Sequence, residues 1–236
     1  MNMETRMAND SILSEKRGPV GLLTINRPKT LNAIDVPTMH ALDAALAAFE
    51  ADDAVRAIVV TGAGERAFVA GGDIADLDSR RGLPHYEQFA EVIHRLFTRF
   101  DNCDKPTLGA INGWALGGGT ELLLALDIRL VAEEAKLGLP EITLGLFPGA
   151  GGTQRLIRQI PLCRAKELMF TGDQISAAEA VALGLCNRTV PRAKLLDETL
   201  ALATRIAEKS PLVLKLLKRT LRQGLDIPLP AAPAHA

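Results

Sequence analysis

The sequence predicts an α/β fold in which several parallel strands alternate with helices, followed by a mainly helical C-terminal region. Two observations predict this class. Short, wholly apolar runs, typical of buried parallel strands, alternate with longer segments whose apolar residues recur at helical spacing. After Gly149 the strand signals become sparse and helical patterns dominate. An alternating order of strands and helices is typical of α/β domains with a parallel sheet.

The first crossover unit lies near the start of the chain. Residues 20–25 are mainly apolar and lie between two Pro-containing turn signals, which predicts a strand. Residues 37–51 carry apolar side chains every three or four positions, which predicts a helix. Residues 57–60 are wholly apolar and are followed by Thr-Gly, as expected for a second buried strand.

The alternation then continues toward the C-terminus. The sequence predicts a helix at residues 89–100, a strand at 107–111, a helix at 121–126 and a strand at 128–132. Ser176 and Glu179 match a capping box, and Ser210 precedes a proline as at a helix start. The helix after Ser210 carries a stripe of leucines, and its basic side chains are expected on a solvated face.

The composition is that of a soluble globular protein. The chain has 236 residues, of which 47% are hydrophobic and 23% charged, enough for one large domain. Its net charge of −1 provides no bulk attraction for nucleic acid. No apolar run approaches the roughly 18 residues of a membrane span, and the first ten residues lack the apolar segment of a signal peptide. We therefore expect a cytoplasmic protein without nucleic-acid or membrane partners.

Three common kinds of site have little support. Cys103, Cys163 and Cys186 lie far apart with no C-x-x-C pair, so we expect reduced thiols and no metal site. Residues 62–67 match the G-x-G-x-x-A pattern of dinucleotide binders, but further glycines follow instead of a helix. The four histidines lie near no G-x-S-x-G segment, which disfavours a hydrolase triad.

The densest chemical signal is NGWALGGGTE at residues 112–121, between a predicted strand and a predicted helix. Gly117 to Gly119 lack a Cβ, so a ligand can approach the main chain, and the first amides of a helix have no intrahelical acceptor. Such donors would stabilise an oxyanion developing from a thioester carbonyl. The alternative is tight packing of the helix on the strand.

A second glycine pair, Gly71 and Gly72 in FVAGGD, would supply another free amide or form a simple turn. Two donors from separate loops make an oxyanion hole. The segment GAGGTQ, which starts at Gly149, is similar to a phosphate-binding loop at a helix start, although this pattern is not specific.

Two carboxylates stand in apolar surroundings. Glu121 directly follows the glycine cluster, and Glu141 lies in GLPEITLG. Burial raises the pKa of a carboxyl group, and two neighbouring carboxyls push their pKa values apart, which suits one to act as base and the other as acid. The alternatives are a helix N-terminal residue favoured by the dipole for Glu121 and a surface loop charge for Glu141.

Four segments together resemble one enzyme family in order and spacing: NRP at residues 26–28, AGGDI at 70–74, NGWALGGGTE at 112–121, and PE at 140–141 with GAGGTQR at 149–155. The chain from about residue 20 to 225 is similar to the enoyl-CoA hydratase (crotonase) family. This resemblance implies a crotonase-like spiral of repeated ββα units at residues 18–175. It also implies a helical C-terminal region at 176–236, shorter than is usual in the family, and a flexible N-terminal extension at 1–17.

The resemblance also implies roles for individual residues. The amides of Gly72 and Gly118 match the oxyanion hole of the family, and Glu121 and Glu141 match its two catalytic glutamates. The residues that match the substrate-binding positions are Ala70, Gly71, Asp73, Ile74, Gly117 and Gly149. Possession of both glutamates is the hydratase pattern.

The implied function is addition of water to a trans-2-enoyl-CoA, as in the beta-oxidation of fatty acids, by a homotrimer or a hexamer. No metal or redox cofactor is expected, because coenzyme A is part of the substrate. The alternatives are an enoyl-CoA isomerase, another crotonase-fold acyl-CoA enzyme, a truncated non-catalytic relative, and RNA binding.

Overall fold

The computed structural model describes residues 11–79 and 82–225. The strands are β1 Ile12–Arg17, β2 Val20–Ile25, β3 Ala57–Gly62, β4 Ala67–Val69, β5 Thr107–Ile111, β6 Trp114–Leu116, β7 Ile128–Ala132, β8 Lys136–Gly138, β9 Gln174–Ser176 and β10 Arg188–Val190. The helices are α1 Val36–Ala51, α2 Ile74–Asp78, α3 Leu83–His85, α4 Glu91–Asn102, α5 Gly118–Leu124, α6 Gly152–Arg155, α7 Leu162–Thr171, α8 Ala177–Ala182, α9 Arg192–Ala207 and α10 Pro211–Gly224. A π-helical turn spans Tyr86–Ala90, and 3-10 turns span Pro28–Thr30, Pro140–Leu144 and Leu156–Arg158.

Two sheets form the core of the fold. The larger has the order β1-β2-β3-β5-β7-β10 and the smaller β4-β6-β8-β9. All neighbouring strands are parallel except β1 with β2 and β8 with β9. The successive pairs β3–β4, β5–β6 and β7–β8 each place one strand in each sheet before the chain enters the next helical segment. This repetition confirms the predicted α/β spiral of ββα units.

The central strands are buried on both faces. Every residue of β3 and of β5 is buried, and Phe68, Phe97 and Phe100 are among the largest fully buried side chains. Wholly apolar runs are typical of strands covered by other elements on both sides. The predicted strands at residues 20–25, 107–111 and 128–132 are confirmed with those bounds.

The prediction of a flexible extension at residues 1–17 is wrong for Ile12–Arg17, which form β1. This strand pairs antiparallel with β2 from Ile12 opposite Ile25 to Arg17 opposite Val20. Only its first residue is buried, so the sequence carries no alternating apolar pattern that would indicate an edge strand. The first ten residues lie outside the described part of the chain.

The C-terminal helices begin as predicted. The Ser176 hydroxyl accepts a hydrogen bond from the Glu179 amide at the start of α8, and the Ser210 hydroxyl accepts one from the Val213 amide at the start of α10. Helix α9 packs on the larger sheet through its buried residues, among them Leu195 and Ala203. None of the described helices is long and apolar enough to cross a membrane.

Helix α10 lies on the protein through its basic side chains, which contradicts the expected solvated basic face. Lys218 forms an ion pair with Asp127 at 2.6 Å, and Arg219 forms one with Asp104 at 2.7 Å. The leucines that define the stripe point outward, with exposed fractions between 52% and 64%: Leu212, Leu216, Leu217 and Leu221. Carboxylates on the neighbouring loops therefore determine which face of this amphipathic helix is covered.

Candidate active site

The three glycines of the densest motif have different roles. A Cβ at Gly119 would lie 1.9 Å from the Val69 carbonyl oxygen, so this glycine permits the close packing of α5 on β4. Gly117 has φ 52° and ψ −123°, a conformation that a side chain would strain. A Cβ at Gly118 would meet its nearest atom, Ile93 Cδ1, at an ordinary 3.6 Å. The packing explanation therefore holds for Gly119, while a side chain at Gly118 would meet its neighbours only at ordinary contact distances.

The amides of Gly72 and Gly118 lie at the same place in the fold. Gly72 is held on both sides by Ile34, whose amide donates to the Gly71 carbonyl and whose carbonyl accepts from the Asp73 amide, both at 2.9 Å. A Cβ at Gly118 would lie 3.8 Å from the Gly72 nitrogen. Among the residues that the structure describes, no acceptor binds the amide of Gly72 or of Gly118. The two loops thus bring two available donors close together.

Apolar side chains surround these amides. A Cβ at Gly72 would lie 2.9 Å from Phe89 Cζ and 3.1 Å from Leu77 Cδ1, and Ile93 lies beside Gly118. Phe89 and Ile93 are 7% and 4% exposed. The helical pattern of the sequence indicated that they are core residues, but their position next to the amides depends on the tertiary fold.

Glu121 lies in the first turn of α5 and is only 3% exposed. Its Oε1 accepts hydrogen bonds from the amides of Ala150 and Gly152, both at 2.8 Å. Burial and the nearby Glu141 raise the pKa of Glu121 to about 7, although these two amides and Arg155 act in the opposite direction. A carboxyl group with this pKa exchanges protons near neutral pH.

Glu141 begins its 3-10 turn together with Pro140, and its carboxylate points toward the glycine cluster. A Cβ at Gly117 would lie 3.1 Å from Glu141 Oε1. Both carboxylate oxygens are buried, and neither has a hydrogen-bond partner within the described ranges. Burial raises the pKa of Glu141 to about 6. A surface loop charge is therefore excluded, and a buried carboxylate without a partner is typical of a functional site.

The loop that resembled a phosphate-binding loop binds a carboxylate of the protein itself. The amides of Ala150 and Gly152 point at Glu121, and a Cβ at Gly152 would lie 2.9 Å from Glu121 Oε1. Ala150 and Gly152 were not identified from the sequence as partners of Glu121, because the only signal there was the spacing of the glycines. The helix that follows, α6, has only four residues.

The other predicted substrate-binding residues lie around this centre. Asp73 caps α2 and forms an ion pair with Arg27 at 2.9 Å, so its carboxylate is engaged within the protein. Ile74 is 68% exposed at the start of α2, and Ala70 is half-buried with its amide bound to the Leu31 carbonyl. Gly149 is exposed next to Ala150. The structure brings six of the predicted site residues together: Gly71, Gly72, Gly117, Gly118, Glu121 and Glu141.

The segment that matched a dinucleotide-binding pattern has a structural role. The Asn112 side chain donates to the carbonyls of Gly62 and Gly64 at 2.9 and 2.8 Å and accepts from the Gly62 amide at 3.1 Å. A Cβ at Gly62 would lie 2.4 Å from the Phe68 carbonyl oxygen. These glycines therefore allow a tight connection between β3 and β4.

The chain is similar to several proteins that are named as enoyl-CoA hydratases. A short-chain-enoyl-CoA hydratase from Clostridium acetobutylicum is 38% identical over 97% of this chain and 87% of its own length. A crotonyl-CoA hydratase from Syntrophomonas wolfei is 40% identical over 93% of this chain and 84% of its own length. A crystal structure of an enoyl-CoA hydratase from Bacillus anthracis superposes with a TM-score of 0.90 at 36% identity, covering 94% of this chain and 86% of that one.

The model of the family described as enoyl-CoA hydratase/isomerase matches residues 15–235. This range includes both glycine loops, both buried glutamates and the loop that binds Glu121. With the agreement in fold and the similarity over almost the whole chain, the match shows that this protein belongs to the enoyl-CoA hydratase/isomerase family.

Proposed function

We propose that the protein is an enoyl-CoA hydratase, which adds water to a trans-2-enoyl-CoA and yields a 3-hydroxyacyl-CoA. The observation that carries this proposal is the pair of buried glutamates, Glu121 and Glu141, beside the two available amides of Gly72 and Gly118. Relatives named for hydration of short enoyl-CoA thioesters support the same reaction.

The two amides act on the thioester carbonyl of the substrate. When water attacks C3, the electron pair of the double bond moves toward C2 and the carbonyl oxygen, so negative charge develops on that oxygen. The amides of Gly72 and Gly118 are already oriented and stabilise this charge without reorganising. The apolar side chains of Leu77, Phe89 and Ile93 keep bulk water away and strengthen these hydrogen bonds.

The glutamates move the protons of the reaction. Glu121 takes a proton from the attacking water, and Glu141 delivers a proton to C2, so the hydroxyl adds at C3 and a hydrogen adds at C2. One carboxyl group must therefore be ionised while the other is protonated. The pKa values of about 7 for Glu121 and about 6 for Glu141 place the shared proton mainly on Glu121 in the free protein. The reactive form is therefore the one in which this proton has moved to Glu141 and Glu121 is ionised.

This coupling predicts a bell-shaped dependence of kcat/KM on pH, with limbs near the pKa values of about 6 and about 7. Below the lower value both carboxyls are protonated and no base is present. Above the upper value both are ionised and no acid is present. Initial rates between pH 5 and 9, with the melting temperature followed as a control for unfolding, would check this shape. A flat profile would contradict the shared proton.

The function itself is tested with two substrates. Loss of the conjugated enoyl-thioester absorbance of crotonyl-CoA is expected on addition of the protein. A 3-enoyl-CoA, which isomerisation converts into the conjugated 2-enoyl form, should give no comparable gain in absorbance. Turnover of the 3-enoyl compound alone would identify an isomerase instead, and no turnover of either would overturn the proposal for these substrates.

The substrate-binding assignments form part of this proposal. The exposed Ile74 and the half-buried Ala70 would receive the adenine end of coenzyme A, and Gly149 would border the acyl group. Gly71, Asp73 and Gly117 would contribute backbone contacts next to the reacting carbonyl. The proposed reaction uses no resident metal or redox cofactor. Beta-oxidation and a cytoplasmic location remain predictions.

We also propose that the protein forms a trimer or a pair of trimers. The segment after Glu141 exposes four large apolar side chains that a monomer would leave in water: Ile142, Leu144, Leu146 and Phe147. Phe147 is 74% exposed, and Phe170 of the neighbouring α7 is 72% exposed. Apolar patches of this kind are typical of protein interfaces.

The oligomer is tested by light scattering, where the expected mass is three or six times that of the chain. Phe147→Asp would place a charge in the proposed interface and should shift the mass toward that of the monomer. Leu13→Asp provides a control, because Leu13 is 45% exposed on the edge strand β1, outside this patch. A monomeric parent protein would contradict the proposal.

A further inference from the structure

The side chain of Arg155, in helix α6, points back to the loop that binds Glu121. Arg155 Nη1 donates a hydrogen bond to the Ala150 carbonyl at 3.0 Å, while the Ala150 amide donates to Glu121 Oε1 at 2.8 Å. Ala150 therefore connects the guanidinium of Arg155 to the buried carboxylate of Glu121. Arg155 itself makes no hydrogen bond to Glu121 among the described residues.

The guanidinium is also anchored to α4. Arg155 Nε lies 3.4 Å from Asp101 Oδ2, and Nη2 lies 3.3 Å from Thr98 Oγ1. The side chain of Arg155 is 13% exposed, whereas that of Asp101 is 43% exposed, so the guanidinium is mostly shielded from water and the carboxylate is not. Such a planar, multiply bonded arginine fixes the relative position of the groups that it binds.

The loop is shaped to accept this side chain. Gly151 has φ 103°, and a Cβ at this position would lie only 2.1 Å from Arg155 Nη1. The Arg155 amide also donates to the Gly151 carbonyl at 2.9 Å. The glycine is thus required both for the turn and for the space that the guanidinium occupies.

The charge of Arg155 acts on Glu121 as well. Burial and Glu141 raise the pKa of Glu121, whereas the positive charge of Arg155 lowers it. Strands β4 and β6, which pack on α5, carry no titratable side chain. Within the described residues, the charged groups that act on Glu121 are Glu141, from its 3-10 turn, and Arg155, from α6.

We propose that Arg155 is a positioning residue, which holds the Ala150–Gly152 loop against α4 and so fixes the orientation and basicity of Glu121. This inference rests on the proposed function and names one further residue that the reaction requires. The guanidinium of Arg155 binds Ala150, Thr98 and Asp101, so we expect its replacement to change the rate of the chemical step more than substrate binding.

The test compares Arg155→Gln and Arg155→Lys with the parent protein. Arg155→Gln should lower kcat by about 10- to 100-fold with KM changed less than about twofold, because the base is misplaced. Its pH optimum should move upward, because a positive charge that lowers the pKa of Glu121 is lost. Arg155→Lys retains the charge but cannot bind Ala150 and α4 together, so kcat should fall while the pH optimum stays close to that of the parent.

Arg188→Gln is the control for the loss of an arginine charge. The Arg188 side chain is 48% exposed on β10, and its guanidinium lies 3.6 Å from the Glu198 carboxylate. Its replacement should leave kcat and the pH optimum unchanged.

A second measurement does not depend on turnover. Hydrogen exchange at the amides of Ala150 and Gly152 should become faster in Arg155→Gln while the melting temperature stays close to that of the parent. If the parent protein fails to hydrate crotonyl-CoA, the proposed function fails, but this exchange still decides whether Arg155 positions the loop. Parent-like exchange and kcat in both variants would overturn the inference. It would also be overturned if neither variant folded, because Arg155 would then be a general folding residue.

Discussion

Replacement of Glu121 by Gln is expected to lower kcat for crotonyl-CoA by about 10²- to 10⁴-fold, and replacement of Glu141 by Gln should have an effect of the same order. In Glu121→Gln the side-chain amide oxygen would retain the hydrogen bonds from the Ala150 and Gly152 amides, since the side chain keeps its shape. Glu121→Gln loses the ability to accept a proton from the attacking water, and Glu141→Gln loses the ability to donate a proton to C2. Both effects are measured as a slower loss of the conjugated enoyl-thioester absorbance of crotonyl-CoA.

Stability distinguishes loss of chemistry from loss of fold in these variants. The pKa of Glu121 is raised from 4.5 to about 7 by burial and by Glu141, so the folded state binds more protons than the unfolded state between these pH values. Stability therefore falls as pH rises through this window, and above it the ionised carboxylate destabilises the fold. Glu121→Gln removes this effect, and its melting temperature at pH 8 should equal or exceed that of the parent.

An exposed glutamate provides the control for the change of charge. Glu134 is 56% exposed and lies 3.6 Å from Arg192, so Glu134→Gln should leave both kcat and the melting temperature nearly unchanged. If either Glu121→Gln or Glu141→Gln retained more than about a tenth of the parent activity, that glutamate would not be the proton donor or acceptor. A low activity together with a low melting temperature would instead indicate a folding defect.

The sequence predicted those elements whose signals are local. Strands β2, β5 and β7 are mainly apolar runs bounded by polar or turn-forming residues, so their bounds follow from the pattern. Strands β4, β6, β8 and β9 have three residues each, too short for a period to be recognised. The outward leucines of α10 were also unpredictable, because Asp104 and Asp127 on distant loops attract its basic face.

In the candidate site, too, local signals were predictable from the sequence and long-range contacts were not. Gly118 and Glu121 are close in the sequence, and one helix start places both of them. The contact of Glu121 with Ala150 and Gly152 spans about thirty residues, and no local pattern indicates which partner a buried carboxylate will find. The bond from Arg155 back to Ala150 depends on the turn at Gly151, whose glycine signal suggested a phosphate site. A glycine-rich loop supplies free amides, but the tertiary fold decides which anion they bind.

Gly118→Pro is expected to lower kcat by about 10²- to 10³-fold relative to Gly118→Ala, because only the proline variant lacks the amide that stabilises the oxyanion. Gly118 is the first residue of α5, where proline is compatible with the helix. Both variants add a Cβ that would meet Ile93 Cδ1 at 3.6 Å, so any steric effect of that atom is common to both. The ratio of their kcat values therefore reports the loss of this N–H group together with the space that the proline Cδ takes in its place.

Some activity should remain in Gly118→Pro, because the Gly72 amide still faces the same position. The melting temperatures of the two variants should agree, since the Gly118 amide has no acceptor among the described residues and its removal breaks no hydrogen bond of the fold. Equal kcat values in two folded variants would mean that the carbonyl oxygen of the substrate does not bind between the two glycine loops. The glutamates would then need a different substrate orientation, with the charge stabilised elsewhere. A difference in kcat with unchanged melting temperatures would instead locate the developing oxyanion at the start of α5.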